Sequence, residues 1–282
     1  MTPRVAVIVP CFNAGRLVLE TIDSLADEPE PLEIVVVDDQ SDDAETQQAL
    51  AVLQERGVRV LRQAVNGGAA VARTAGLHAT QARFVFPLDA DDLAIPGRIT
   101  AAADLLDAHP DAAAVVGDYE EFGNDAIVRA VPETLDPFRI AFTNEYAITS
   151  LFRRATVEAL GGWRDPLAAH RGYEDWNLWM DLAERGARVV HLHAVLYRRR
   201  LHAPGLDVQA RQRHAEIYAA LREEHPRLFA ELAEHRRRSP LSAPRKLLYP
   251  RLYGDRKLVN RVRWVKPLLD RTGLWTLQRK RP

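Results

Sequence analysis

Two β-branched runs near the start of the chain, Val5–Val9 and Ile34–Val37, each stop at a polar cluster, and between them Leu17, Thr21, Ile22 and Leu25 recur at helical spacing. A third short strand is predicted over Val58–Leu61, ahead of Asn66-Gly67-Gly68. An Ala-rich helix then covers Ala69–Thr80, and a fourth apolar strand covers Phe84–Leu88. The alternation β-α-β-α-β-α-β predicts a mostly parallel sheet with right-handed crossovers. Buried strands of such sheets read as continuous apolar runs, and ligands bind beyond their carboxyl ends. Every polar cluster in this half of the chain follows a strand.

Further on, Ala101, Leu105 and Leu106 predict another helix and Ala113–Val116 another strand. A helix over Glu174–Arg185 has Trp176, Trp179 and Leu182 on its buried side. His191 and His193 alternate about Leu192 and belong to a strand. After about Asp207 the pattern is helical, over Val208–Glu224 and again over Pro226–Arg238. The region from Pro240 to Pro250 breaks that pattern, and a basic tail follows.

Apolar and charged fractions of 47% and 27% over 282 residues are those of a globular protein with one large domain, or one domain and a tail. The longest apolar run, Val5–Phe12, falls far short of the roughly 18 residues a membrane span needs. It contains Pro10, leads into Asn13 and has no small-residue cleavage pattern, so no signal peptide is expected. The single Cys11 excludes an internal disulfide and any Cys-based zinc site. A cytoplasmic protein is expected.

The net charge of −1 conceals a division: residues 241–282 carry twelve Lys/Arg and two Asp, leaving 26 Lys/Arg and 37 Asp/Glu in residues 1–240. In the tail the basic residues are interspersed with Leu247, Leu248, Tyr249, Leu252, Tyr253, Trp264 and Trp275. That mixture fits an interfacial segment on an anionic membrane surface, which would make the protein peripheral on the inner face of the membrane, or a contact in a homodimer. Nucleic acid is not expected as a partner, because no recognisable nucleic-acid module accompanies the charge.

The candidate chemistry lies at the strand ends. Phe84–Leu88 runs into Asp89, Asp91 and Asp92, three carboxylates within four residues. Carboxylates so crowded are costly to keep ionised, and a divalent cation removes that cost; the plainer reading is a solvated Asp-rich turn. Phe12 offers a ring that can stack on a planar base or pack in the core. Asp39 can accept a hydrogen bond from a nucleobase N–H, or cap a helix, a role open to Ser41 or Asp42 as well. Asn66-Gly67-Gly68 lets the backbone turn tightly, and it is neither a Walker A loop nor a GxGxxG fingerprint, which weakens NTPase and NAD readings. Arg73, in the Ala-rich helix, can reach base, ribose or phosphate, or form a surface ion pair.

Five segments in order resemble the inverting GT-A glycosyltransferases of family 2: Val7-Ile8-Val9-Pro10-Cys11-Phe12-Asn13, Ile34 through Asp42, Asn66-Gly67-Gly68 with Ala72-Arg73, Leu88 through Asp92, and Gly161-Gly162-Trp163 followed by Tyr173 through Trp179. The resemblance covers residues 4 to about 200. It implies an α/β GT-A fold, a Rossmann-like mixed sheet flanked by helices, here with a helical, basic C-terminal extension. The implied divisions are a domain over 1–205, with a nucleotide-sugar half (1–120) and an acceptor half (121–205), a helical segment over 206–240 and a basic amphipathic tail over 241–282.

By resemblance, Pro10, Phe12, Asn13, Asp39, Asn66, Gly67, Arg73, Asp89 and Ala90 contact the nucleotide. Asp91 and Asp89 hold Mn²⁺ or Mg²⁺ on the donor diphosphate, and such ions favour hard oxygen ligands. Asp175 is the general base, with Glu174 its structural competitor, since acidic residues are favoured in a helix's first turn. Trp163 and Trp176 offer flat faces to a sugar acceptor, beside Glu174, or serve as core. The fit loosens after Leu196: family members often carry Tyr-Arg-x-His, whose His completes the metal shell, whereas this chain reads Tyr197-Arg198-Arg199-Arg200-Leu201-His202. His202 is then a metal candidate, and the Arg198–Arg200 run a phosphate binder. The implied reaction moves a sugar from a nucleoside diphosphate, UDP favoured, to a hydroxyl on a glycan, lipid-linked or small-molecule acceptor. The rivals are a sugar nucleotidyltransferase and a nucleotide-sugar-binding scaffold without turnover.

Overall fold

A computed structural model of the chain describes residues 2–123, 126–167, 172–201 and 213–254. Four parallel strands form its first half: β1 (Val5–Cys11), β2 (Glu33–Asp38), β3 (Arg59–Arg62) and β4 (Phe84–Pro87), in the order β3-β2-β1-β4. Val5–Val9, Val35–Val37 and Phe84–Phe86 are buried, because helices cover the sheet. The crossovers are α1 (Leu17–Asp23), α2 (Ala44–Glu55) and α3 (Ala69–Ala79). Helix α3 lies so close on β1 that a Cβ on Gly76 would stand 2.4 Å from Ile8 Cγ2.

Beyond β4 the sheet changes character. The strands β5 (Leu93–Ala94), β6 (Ala112–Phe122), β7 (Ile127–Arg129), β8 (Leu151–Arg153) and β9 (Arg188–Arg200) extend it to β3-β2-β1-β4-β8-β6-β9-β5, with β7 on β6. Strand β8 pairs antiparallel with both β4 and β6, and β9 runs parallel to β6. The mostly parallel sheet expected from the first half therefore holds there alone; the whole is mixed. Strand β6 also outruns the expected Ala113–Val116. Its polar end, Asp118 to Glu121, is carried by a long ladder with β9, in which Tyr119 stacks on Tyr197 at 5.4 Å and Arg198 pairs with Glu120 at 2.9 Å.

Helices α4 (Arg98–Ala108), α5 (Pro137–Ile140), α6 (Arg154–Ala159) and α7 (Glu174–Glu184) flank this half. The expected helix from Val208 is described only as α8 (His214–Glu224), since residues 202–212 lie outside the described set. The run Pro226–Arg238 divides into α9 (Pro226–Ala230) and α10 (Leu232–Arg238).

The break expected from Pro240 to Pro250 is instead the helix α11 (Ala243–Tyr253). Pro244 sits in its first turn, where a missing N–H leaves no gap in the ladder, and Pro250 falls in its last turn. Tyr249 and Tyr253 are buried; Tyr249 packs 5.9 Å from Phe138 and 6.2 Å from Phe142. Ser239 donates to Asp136 Oδ2 at 2.6 Å. A line drawn at residue 240 thus crosses a packed unit, and the first part of the basic tail packs against α5 and its neighbours. Residues 255–282 lie outside the described set. Among the described residues no helix is long and apolar enough to cross a membrane.

Candidate active site

The carboxyl ends of β1, β2 and β4 gather the first group of residues. Phe12, just past β1, is 47% exposed, the condition for stacking on a planar ligand. Pro10 lies in β1 opposite Val37. Asn13 has positive φ, and its side chain ties this turn to the next: Nδ2 donates to Asp42 Oδ1 (2.7 Å) and Oδ1 accepts from Asp42 N (3.0 Å). The cap of α2 is Asp43, which accepts from Thr46 N at 2.7 Å, so neither Ser41 nor Asp42 fills that role.

Asp39 is buried, and its two oxygens accept the N–H groups of Gly67 and Gly68, each at 2.7 Å. Gly68 opens α3 at φ 89°, a left-handed conformation that suits glycine. Asp39 therefore fixes the Asn66-Gly67-Gly68 turn against the end of β2, and a base N–H would share oxygens that already accept these bonds.

Arg73 unites the two halves. It is 3% exposed; Nη2 donates to Asp89 Oδ1 at 2.6 Å and Nη1 to Glu174 Oε1 at 2.7 Å. This is a buried bridge between the end of β4 and the start of α7, not the surface ion pair entertained from sequence. The next residue, Thr74, secures the Gly161-Gly162-Trp163 segment: its Oγ1 accepts from Trp163 N (2.9 Å) and donates to Trp163 O (3.1 Å). Gly162, at φ 88°, passes so close that a Cβ would meet Thr74 at 2.6 Å.

After β4, Ala90 is buried and Asp89 remains 39% exposed. The Asp91 carbonyl accepts from Arg200 Nε at 2.9 Å, and the Asp92 carboxylate from Arg200 N at 2.8 Å. Burial, reinforced by the charges of Asp89 and Asp91, pushes the Asp92 carboxyl up to about 8. Arg200 stands where the family's His was expected, and its Nη2 pairs with Glu20 at 2.6 Å; His202 lies outside the described residues. Arg198 pairs with Glu120, whereas Arg199 points to the opposite strand face, with Tyr197, and its charge acts on Asp92 and Asp175. Among the described residues no three His, Cys, Asp or Glu side chains are grouped as a metal cage.

Helix α7 opens at Tyr173, a non-glycine residue at φ 70°, a sparsely populated conformation of the kind found at functional sites. It sets Glu174 and Asp175 in the first turn. Asp175 Oδ1 accepts from Trp176 N (2.7 Å) and Oδ2 from Asn144 Nδ2 (2.8 Å). Burial, with Glu174 beside it, pushes the Asp175 carboxyl up to about 7, against the pull of Arg73 and Arg199.

The two tryptophans proposed as acceptor platforms are core residues, each 2% exposed. Trp163 packs edge-on to Phe152, and Trp176 clusters with His214 and Tyr218, which also stack on each other, while its Nε1 donates to Ile140 O at 2.6 Å. Both rings are buried, which leaves no open face for a sugar. Glu174 is likewise committed, to Arg73.

A mixed sheet with a parallel first half, helices on its faces and acidic residues at its strand ends is the architecture of a GT-A fold. The match to solved structures agrees. S. aureus TarS 1-349 in complex with UDP-GlcNAc superposes with a TM-score of 0.67 at 21% identity, covering 96% of this chain and 78% of that one. The mannosyltransferase PcManGT from Pyrobaculum calidifontis, in complex with GDP-Man and Mn²⁺, gives 0.61 at 20% identity, covering 98% and 84%. The sequence profile of Glycosyl transferase family 2 matches residues 6–157, more than half of the chain, and the protein belongs to that family. Glycosyltransferase GlyG of Streptococcus pneumoniae is 29% identical over 124 residues, 43% of this chain. The chain spans less than half the length of the first curated relatives it matches, 41%, 22% and 30% of them.

Proposed function

We propose that the chain is an inverting glycosyltransferase that moves a sugar from a nucleoside diphosphate, UDP favoured, to a hydroxyl on a glycan, lipid-linked or small-molecule acceptor. The observation that carries this reading is the Arg73 bridge, which brings the donor-side Asp89 and the helix of Asp175 into one cluster across two sequence-distant segments. Asp175 takes the proton of the acceptor hydroxyl, whose oxygen forms a bond to the anomeric carbon. The bond from that carbon to the diphosphate oxygen breaks, and the nucleoside diphosphate leaves on the opposite face. A base with a pKa near the working pH suits such a step.

Asp91, with Asp89, would hold the divalent cation. Asp89 Oδ1 is engaged with Arg73, so the protein provides few ligands and the donor phosphates and water would provide the rest, as is usual for Mg²⁺. The fit rests on the three carboxylates Asp89, Asp91 and Asp92 gathered in one turn, of which Asp89 keeps 39% of its side chain exposed. When bound, the ion neutralises charge on the departing diphosphate. Arg199, whose charge acts on Asp89 and Asp92, adds to the positive charge of Arg73 and Arg200 there. TarS with UDP-GlcNAc and PcManGT with GDP-Man and Mn²⁺ support a nucleotide-sugar donor.

The test is a thermal-shift series with UDP, GDP and their sugars, with Mn²⁺ and with EDTA. A ligand that binds only the folded state stabilises by RT ln(1 + [L]/Kd). UDP is expected to raise Tm more with Mn²⁺ than with EDTA; a nucleotide response indifferent to EDTA refutes the metal bridge, and no response to any nucleotide refutes the donor.

A further inference from the structure

The Asp175 carboxylate is held from two sides. Oδ1 accepts the N–H of Trp176, within its own helical turn. Oδ2 accepts Nδ2–H of Asn144 at 2.8 Å, from 31 positions earlier in the chain. The orientation of that amide is set by its other end, since Asn144 Oδ1 accepts from Tyr146 N at 3.1 Å. The segment around it is anchored. Tyr146 is buried, its ring 4.8 Å from that of Trp179, and its hydroxyl donates to Thr134 O; the intervening Glu145 pairs with Arg139. An amide mounted this way presents a fixed donor to a carboxylate that would otherwise rotate.

We propose that Asn144 is a positioning residue for glycosyl transfer, holding Asp175 in the rotamer and the ionised form that accept the acceptor proton. The inference rests on Asp175 being the base. Five groups face that carboxylate. Glu174, on the same helix, opposes its ionisation, as does burial; Arg73 from α3 and Arg199 from β9 favour it, and both carry fixed positive charge. Asn144 and the Trp176 N–H are the neutral partners among them, and Asn144 is the one that comes from outside the helix. A hydrogen bond donated to a carboxylate favours its charged form. Without that bond, burial and Glu174 meet less opposition, and Asp175 spends more of its time protonated and inactive at neutral pH. Among the described residues the Asn144 side chain hydrogen-bonds to Asp175 and Tyr146, and to neither the donor turn after β4 nor the loop fixed by Asp39, so its loss is expected to leave nucleotide binding in place.

The test uses the full chain labelled with ¹³Cγ-aspartate, with the Asp175 resonance assigned by its absence in Asp175→Asn. In the native protein that resonance is expected to titrate at about 7. In Asn144→Ala its midpoint should move up by about one to two pH units, the scale of a hydrogen bond to a charged group. Asn144→Asp, equal in size to the native side chain, should move it up as well, and serves if the truncation disturbs the fold. With whichever of UDP-GlcNAc and GDP-Man the native protein turns over, Asn144→Ala should lose about tenfold in kcat at pH 7, recover much of it at higher pH, and keep its donor KM. An Asp175 midpoint that stays in place in both variants overturns the proposal. So does a rate loss of the same size at every pH, which would make Asn144 a packing residue. Full transfer by Asp175→Asn overturns the base reading instead, and the titration still reports on the Asn144 contact by itself.

Discussion

Replacing Arg73 with methionine keeps the length and apolar stem of the side chain and removes the charge that joins the two halves of the site. Two contacts are lost, to Asp89 at 2.6 Å and to Glu174 at 2.7 Å. Removing one member of a buried ion pair costs about 3–5 kcal/mol, because the partner charge is left uncompensated. Glu174 is 15% exposed and bears most of that penalty, whereas Asp89, at 39%, regains water. The low end, about 3 kcal/mol, is therefore expected, or a fall in Tm of about 6–12 °C at roughly 2–4 °C per kcal/mol. Urea denaturation of Arg73→Met, Glu174→Gln and the double variant completes a cycle. Glu174→Gln on top of Arg73→Met should restore part of the loss, with a coupling of about 1–3 kcal/mol. If Arg73→Met costs less than about 1 kcal/mol, or the two changes add without coupling, the bridge does not hold the halves together and the argument built on it fails.

Three further outcomes are expected. Transfer should rise with pH through about 7 as Asp175 loses its proton, then level off; because this carboxyl is raised above its ordinary 3.8, its contribution to stability is present at low pH and is lost as the pH climbs through about 7. A pH–rate profile flat from 5 to 9 contradicts this. Asp91→Ala should abolish the extra Tm gained from UDP with Mn²⁺ over UDP with EDTA while leaving the ligand-free Tm within a few degrees. Ending the chain after Gly254, so that α11 stays packed, should weaken flotation with anionic but not neutral liposomes, because each basic residue near such a surface contributes about 1 kcal/mol, screened by salt. Equal flotation of both forms removes the membrane role of residues 255–282.

The parallel half of the sheet was legible because β1, β4 and most of β2 are buried on both faces, so apolar runs such as Val5–Val9 and Phe84–Phe86 carry their own signal. The end of β6 was not, since Asp118, Glu120 and Glu121 look like loop residues until β9 pairs with them. Pro244 and Pro250 suggested a break because composition alone does not say that both fall in terminal turns. The acidic turn after β4 stood out in the chain, and so did Arg73, the lone cation in an Ala-rich helix; that its partners are Asp89 and Glu174 depends on how α7 docks. Tryptophan patterns are alike for a stacking platform and a core ring, which is why the sequence left both readings open for Trp163 and Trp176, each of which is buried in the fold. Asn144 left no trace at all: an asparagine in a polar stretch becomes informative only when folding places it on Asp175.

The central claim is that Asp175 is the base of an inverting transfer, and its most direct test is the rate of Asp175→Asn. The substitution keeps the shape of the side chain and its place beside Asn144 and Trp176, and removes the basic oxygen. Single-turnover release of nucleoside diphosphate from a nucleotide sugar that the native protein uses should fall by about 10²–10⁴, with the Kd for UDP unchanged. Transfer within a few-fold of the native rate contradicts the account and moves the base elsewhere, with Glu174 the first residue to examine.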